Sequence, residues 1–159
     1  MGLCYVHLDE SKSEWELGGI IIGDSVRKLG LGSVLARLAL CHVIATQRPW
    51  KYGQKIIAHV HEANPKPRNM LAAVGFKPDG QEVYEDSEAP PSLARNSDGK
   101  VVGDKFHFPP ESLIGLVEWL RMGPQYLLRD KASNAILHTE PFSVNDLLAS
   151  LQEATDEQT

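Results

Sequence analysis

Asp24-Ser25-Val26-Arg27-Lys28-Leu29-Gly30-Leu31-Gly32 is the stretch whose reading decides the fold. The apolar run Leu17 to Ile22 leads into it, and an apolar-periodic stretch from Leu31 to about Gln47 leads out. The order is therefore strand, basic glycine-bearing turn, helix. A helix N-terminus has unpaired N–H groups and carries the positive end of the helix dipole. Gly30 and Gly32 lack a Cβ, so a ligand can approach the backbone closely. Together these features suit a phosphate or a pyrophosphate. The frame Arg-x-x-Gly-x-Gly is not the P-loop, which needs Gly-x-x-x-x-Gly-Lys-Ser/Thr, and it lacks the third glycine of the dinucleotide fingerprint.

A second stretch narrows the reading. Lys55-Ile56-Ile57-Ala58-His59-Val60-His61 predicts a strand, and Asn64-Pro65-Lys66-Pro67-Arg68-Asn69-Met70-Leu71-Ala72-Ala73-Val74-Gly75-Phe76 predicts a helix that ends at Gly75. Asn64 suits an N-cap, Pro65 the first helical position and Gly75 the residue just past the end. In this order and at this separation, the two motifs resemble those of the GCN5-related N-acetyltransferase (GNAT) superfamily. The resemblance runs from about Gly2 to Phe108.

That resemblance implies an α/β (α+β) fold, with a mixed, twisted sheet and helices on both faces. It also implies acetyl-CoA or another acyl-CoA as cofactor. Backbone groups of Ile20, Ile21 and Ile22 would pair with the pantetheine amides. The N–H groups of Lys28, Leu29, Gly30, Leu31, Gly32 and Ser33 would hold the pyrophosphate, with charge added by Arg27 and Lys28. Asn64 matches the family asparagine beside the cofactor. The strand before the loop carries a bulge in this family, here near Gly18-Gly19, and splays from its neighbour to admit the pantetheine arm.

Acyl transfer needs a deprotonated amine, and a carboxylate can serve as general base. Counting back from Arg27 puts Glu16 where the histone-acetyltransferase-like branch carries its glutamate; the plainer alternative is a solvated strand-edge glutamate. His59 and His61 are other candidate bases, or simply structural histidines. Many family members carry a tyrosine seven residues after the asparagine to protonate the leaving thiolate. Here that position is Leu71, and Tyr84 or Tyr5 would have to substitute.

A further departure lies at the front. Family members begin with a strand, helices and another strand before the hairpin seen here at Gly2 to Ile22, so the chain reads as N-terminally shortened. Residues 1–108 would form the acyl-CoA-binding core. Residues 109–159 would be a C-terminal extension with a helix at Leu113 to Leu120, a hairpin between Gln125 and Thr139, and a helix from Val144 to Leu151. The last helix has a clean apolar stripe suited to a groove on another chain, ahead of a frayed tail from Glu153. The open edge at Gly2 to Leu8 points the same way, to a homo-oligomer or a partner protein. Phe76 to Glu85, broken at Pro78-Asp79-Gly80, and Val101 to Phe108 read as the remaining strands.

The 159 residues and 42% hydrophobic content provide for a core, and the formal net charge of −5 argues against a nucleic-acid surface. Cys4 and Cys41 sit in apolar settings without metal-ligand spacing, so free thiols in a reducing compartment and no metal are expected. No signal peptide opens the chain and no run approaches a membrane span, which implies a soluble, cytoplasmic protein with no membrane partner. The functional expectation is an acyl-CoA-dependent N-acyltransferase acting on a small-molecule or peptide amine. Glu14, Glu16, Glu82 and Glu85 are candidate walls for a cationic acceptor. The alternative is a non-catalytic scaffold of the same fold, or a structural component of a larger assembly such as a phage particle.

Overall fold

The computed structural model of the protein describes residues 2–22, 31–61, 64, 66–84, 95–122 and 144–156. Five strands form one mixed sheet. In chain order they are β1 (Gly2–Asp9), β2 (Glu14–Ile22), β3 (Lys55–His61), β4 (Lys77–Tyr84) and β5 (Val101–His107). The spatial order is β1-β2-β3-β5-β4, so β5 inserts between β3 and β4. Four α-helices are described: α1 (Leu31–Gln47), α2 (Lys66–Val74), α3 (Leu113–Arg121) and α4 (Val144–Asp156). Short 3-10 turns at Pro49–Tyr52 and Pro110–Ser112 precede β3 and α3.

The β1–β2 hairpin is closed by Asp9. Its carboxylate accepts from the Ser11 amide at 3.0 Å, from the Ser11 hydroxyl at 2.6 Å and from the Lys12 amide at 3.3 Å, the local bonding that makes aspartate a turn residue. At the far end of α2, Gly75 adopts φ +117. The Gly75 and Phe76 amides there bond back to Ala72 and Leu71 carbonyls, at 3.1 and 3.0 Å. This double bond pattern is what a left-handed residue past a helix end provides. Gly75 also admits a close neighbour, because a Cβ there would stand 3.1 Å from the Phe108 ring.

Strand alternation separates the two faces of the sheet. Leu17, Ile56, Ala58, Val60 and Phe106 join one apolar cluster with residues of all four described helices. Helix α1 is buried widely: Leu31, Val34, Ala36, Leu40, Cys41, Val43 and Ile44 are all buried, as its two-sided apolar pattern requires. The strand residues of the other parity, Glu14, Glu16, His59 and Lys105, carry charge and meet on the opposite face.

Two expectations about the C-terminal part change. Leu147 and Leu148 of the α4 stripe pack within their own chain: Leu147 is fully buried in the shared cluster with Leu148 against it, and Ser150 donates its hydroxyl to the Ile44 carbonyl of α1 at 3.1 Å. An apolar stripe shows that a helix is covered, not by which chain. The helix also continues to Asp156, past the expected fraying point at Glu153. The hairpin expected between Gln125 and Thr139 lies outside the described residues.

Candidate active site

The site begins where two strands part. β2 and β3 are parallel neighbours, but their register holds only for Glu14–Lys55, Trp15–Ile56 and Glu16–Ile57. β2 runs on to Ile22 paired only with β1, and β3 runs on to His61 paired with β5. Beyond Glu16 the β3-facing edge of residues 17–22 has no ladder partner among the described residues, over a length of roughly 20 Å. The closed end is held by more than the ladder. Trp15 donates its indole N–H to Gln54 Oε1 at 2.8 Å, and the Lys55 amide bonds the Ser13 carbonyl at 3.0 Å.

Past the point of parting, β2 carries one extra residue against β1. Leu3 pairs with Ile21 but Tyr5 pairs with Gly18, and Gly19 within the bulge has φ +57. A left-handed glycine of this kind bends the strand that holds it. The gap leads toward the start of α1. Gly32 is open there: a Cβ on it would meet only Ile20 Cγ2, at 3.6 Å.

Glu16 stands at the apex of the gap and is half-buried, opposite His7 on β1 and Ile57 on β3. Its Oε1 lies 3.0 Å from His59 Nδ1, and its Oε2 lies 3.8 Å from His7 Nε2. The other ring nitrogen of His59 lies 2.9 Å from Glu82 Oε2. Glu82 also accepts from Lys12 Nζ at 2.9 Å and has Lys105 Nζ 3.6 Å away. Lys105 in turn grips both Glu14 oxygens, at 2.7 and 3.0 Å. Tyr84 presents its ring edge-on to His59, with centroids 5.4 Å apart.

These contacts set the protonation states. The His59 hydrogen bond, against the opposing effect of burial, holds the Glu16 carboxyl below the usual glutamate range. Lys12 does most to bring Glu82 down to about 2, with His59 and Lys105 adding to it. Burial alone would lower His59, but the hydrogen bonds and charges of Glu16 and Glu82 outweigh it and raise the imidazole. Glu14 and Glu82 are therefore paired with lysines of the chain itself and Glu16 with the His59 ring, which differs from the expected acidic wall; Glu85 lies outside the described residues. Neither cysteine is activated as a nucleophile. Burial pushes the Cys4 thiol up to about 11 and the Cys41 thiol up to about 12, so thiolate is scarce at neutral pH.

The structure brings only part of the expected cofactor set together. Ile20 is half-buried beside Gly32, Ile21 and Ile22 finish β2, and Leu31, Gly32 and Ser33 open α1. Arg27, Lys28, Leu29 and Gly30 lie outside the described residues. Asn64 is exposed just after β3, its amide bonded to the His61 carbonyl at 2.9 Å. Leu71 is buried in the apolar cluster, so the family tyrosine position is occupied by a core residue. Tyr84 stands on β4, with β3 and β5 between it and the gap. The ion bridges of His59 and Lys105 were not anticipated. Their only signal is that Glu14, Glu16 and His59, and Lys105 on β5, occupy alternate strand positions that share one face.

A family model described as FR47-like protein matches residues 8–84, from the hairpin to the end of β4. Over this stretch, just under half of its length, the chain is similar to that family, in line with the resemblance of its two motifs to the GCN5-related N-acetyltransferase superfamily. Among solved structures, the chain is similar to a spermidine N-acetyltransferase chimera from Vibrio cholerae and hSSAT. The identity is 22% and the TM-score 0.50, over 71% of this chain and 62% of that one. It is also similar to an IAA acetyltransferase from Bacillus cereus, with 16% identity and TM-score 0.48, over 68% of this chain and 69% of that one. The chain thus spans less than two thirds of the chimera's length. At such identities the likeness concerns the fold and leaves the acceptor open. No curated protein sequence matches the chain. No described helix is long and apolar enough to cross a membrane.

Proposed function

We propose that the protein is an acyl-CoA-dependent N-acetyltransferase that moves an acetyl group from acetyl-CoA to a primary amine. The parting of β2 from β3 immediately past Glu16 carries this reading. A parallel pair that separates exposes one strand edge, and such an edge recognises amides as an added strand would. Backbone groups of Ile20, Ile21 and Ile22 hold the pantetheine amides. The N–H groups of Leu31, Gly32 and Ser33, continuing from Arg27, Lys28, Leu29 and Gly30, hold the pyrophosphate at the positive end of α1. Asn64 flanks the arm at the end of β3. Bound acetyl-CoA supplies an activated thioester carbonyl.

The chain's part in the chemistry is proton transfer and placement. Glu16, at the apex, takes a proton from the acceptor ammonium, so that the free amine forms the C–N bond as the C–S bond breaks, and the second proton that the nitrogen sheds on becoming an amide leaves to solvent. With Leu71 in the core and Tyr84 separated from the gap by β3 and β5, the leaving thiolate takes its proton from solvent. Burial of the two cysteine thiols, which raises both, supports direct transfer without an acyl-cysteine stage.

Two measurements test the reading. Saturating CoA should raise the unfolding temperature, since a ligand at 100 times its Kd adds about 2.7 kcal/mol to the native state. Acetyl-CoA incubated with pooled primary amines should release free thiol faster than acetyl-CoA without amine. No thermal shift at millimolar CoA together with no amine-dependent thiol release overturns the function.

A further inference from the structure

With both carboxylates ionised, the geometry of the Glu16–His59–Glu82 bridge is satisfied by only one protonation state of the ring. Both ring nitrogens of His59 lie at hydrogen-bond distance from a carboxylate oxygen, at 3.0 and 2.9 Å. A neutral imidazole has a single N–H and would turn a lone pair toward one of the two acceptors; an imidazolium donates to both. The His59 side chain is 9% exposed, so water cannot readily replace either contact. Every element around it contributes charge. β2 supplies Glu16, β4 supplies Glu82 and the Tyr84 ring, and β5 supplies Lys105, the register partner of His59. Lys12 reaches Glu82 from the hairpin turn, Glu14 binds Lys105, and His7 faces the far oxygen of Glu16. Three carboxylates thus face two lysines and His59, and removal of the imidazolium proton would leave negative charge in excess.

The bridge divides the two oxygens of Glu16. Oε1 is committed to His59. Oε2 lies 3.8 Å from His7, beyond hydrogen-bond distance, and has no short bond among the described residues. We propose that His59, as an imidazolium braced by Glu82, is a positioning residue for acetyl transfer: it fixes Glu16 through Oε1 and so presents Oε2 to the acceptor amine at the parting of β2 and β3. This inference rests on the acetyltransferase reading. It assigns no proton transfer to His59 itself. Its substance is orientation, and Glu82, which touches neither cofactor nor amine, acts only through His59.

Nitrogen NMR of protein labelled at histidine reads the bridge directly. In the wild type, both His59 ring nitrogens should be protonated at neutral pH, and Glu82→Gln and Glu16→Gln should each lower the His59 titration midpoint. A neutral His59 at neutral pH in the wild type overturns the proposal. Steady-state kinetics read the role, using whichever pooled amine gives the fastest thiol release. His59→Gln should lower kcat about tenfold or more, with the acetyl-CoA KM unchanged and the pH profile displaced. Glu82→Gln should show a smaller change of the same kind, which keeps the test valid if His59→Gln does not fold. Wild-type kcat and pH profile in both variants overturn the positioning role while leaving the acetyltransferase standing. Absence of any CoA shift or amine-dependent thiol release removes the acetyltransferase and the role with it, even where the NMR shows an imidazolium.

Discussion

The Tyr5 ring occupies the space into which a side chain on Gly19 would project: a Cβ there would fall 1.9 Å from Tyr5 Cε1. Gly18 is covered by the same ring, with a Cβ 2.9 Å from the phenolic oxygen. Two consecutive glycines thus let β1 lay an aromatic side chain flat over the bulge that bends β2 after it leaves β3. Gly19→Ala should cost about 2–4 kcal/mol, combining the left-handed φ of +57 with the overlap. Adding Tyr5→Ala should recover the overlap part but not the backbone part. Denaturant melts of the single and double variants check this, and a Gly19→Ala protein as stable as the wild type would contradict the packing.

Gly32 presents the opposite case. A Cβ on it would make only an ordinary contact with Ile20 at 3.6 Å, and its backbone has no left-handed φ. The fold therefore has no need of glycine at this position, whereas a cofactor approaching the α1 N-terminus does. Gly32→Val is expected to leave the unfolding temperature within a degree or two of the wild type while weakening CoA binding by about tenfold or more. Calorimetric titration with CoA decides; equal affinity would remove Gly32 from the pyrophosphate site.

What was legible in the sequence was local. The bounds of β2, β3 and α1 follow from apolar runs and period, and those elements fall where the residues place them. Gly18-Gly19 was legible as a bulge because a strand interior has little other use for paired glycines. Pro78-Asp79-Gly80 looked like a break, but β4 passes through it with a register slip between Pro78 and Gln81 and Gly80 at φ +90. Turn residues mark irregular backbone without saying whether the strand resumes. The ion bridges were not legible, because they depend on register between distant segments. His59 meets Lys105 only because β5 inserts beside β3, and Glu82 reaches His59 across β5. The destination of the α4 stripe was hidden for the same reason.

The bridge also predicts a stability profile. His59 is raised from its ordinary 6.5, so its contribution is complete below that value and is lost as pH rises through the folded-state value. Glu16 and Glu82 are lowered from 4.5, so their contributions are complete above that value and are lost as pH falls through theirs. The unfolding temperature should therefore be highest between about pH 4.5 and 6.5 and fall on both sides. His59→Gln should remove much of the alkaline decline and weaken the acid one, since Glu16 then loses the donor that lowers it. Thermal melts across the pH range check both limbs; an alkaline limb unchanged in His59→Gln would place the titrating group elsewhere.

Leu147 separates two uses of α4. The helix lies against α1, α3 and the two 3-10 turns, with Leu147 at 0% exposure and the Ser150 hydroxyl bonded to the Ile44 carbonyl. If this contact is part of the chain's own core, Leu147→Ala should destabilise the protein by about 2–5 kcal/mol, the cost of a cavity among leucine-sized neighbours. Leu147→Glu should prevent stable folding outright, because a carboxylate would be buried without a partner. An association helix would behave differently: Leu147→Glu would yield a folded species of lower mass. Light scattering with circular dichroism on the same samples distinguishes the outcomes. Loss of ellipticity in Leu147→Glu is expected; a folded, dissociated Leu147→Glu protein would move α4 from the core to an interface. The β1 edge, paired only with β2 among the described residues, would then be the other place to look for a second copy.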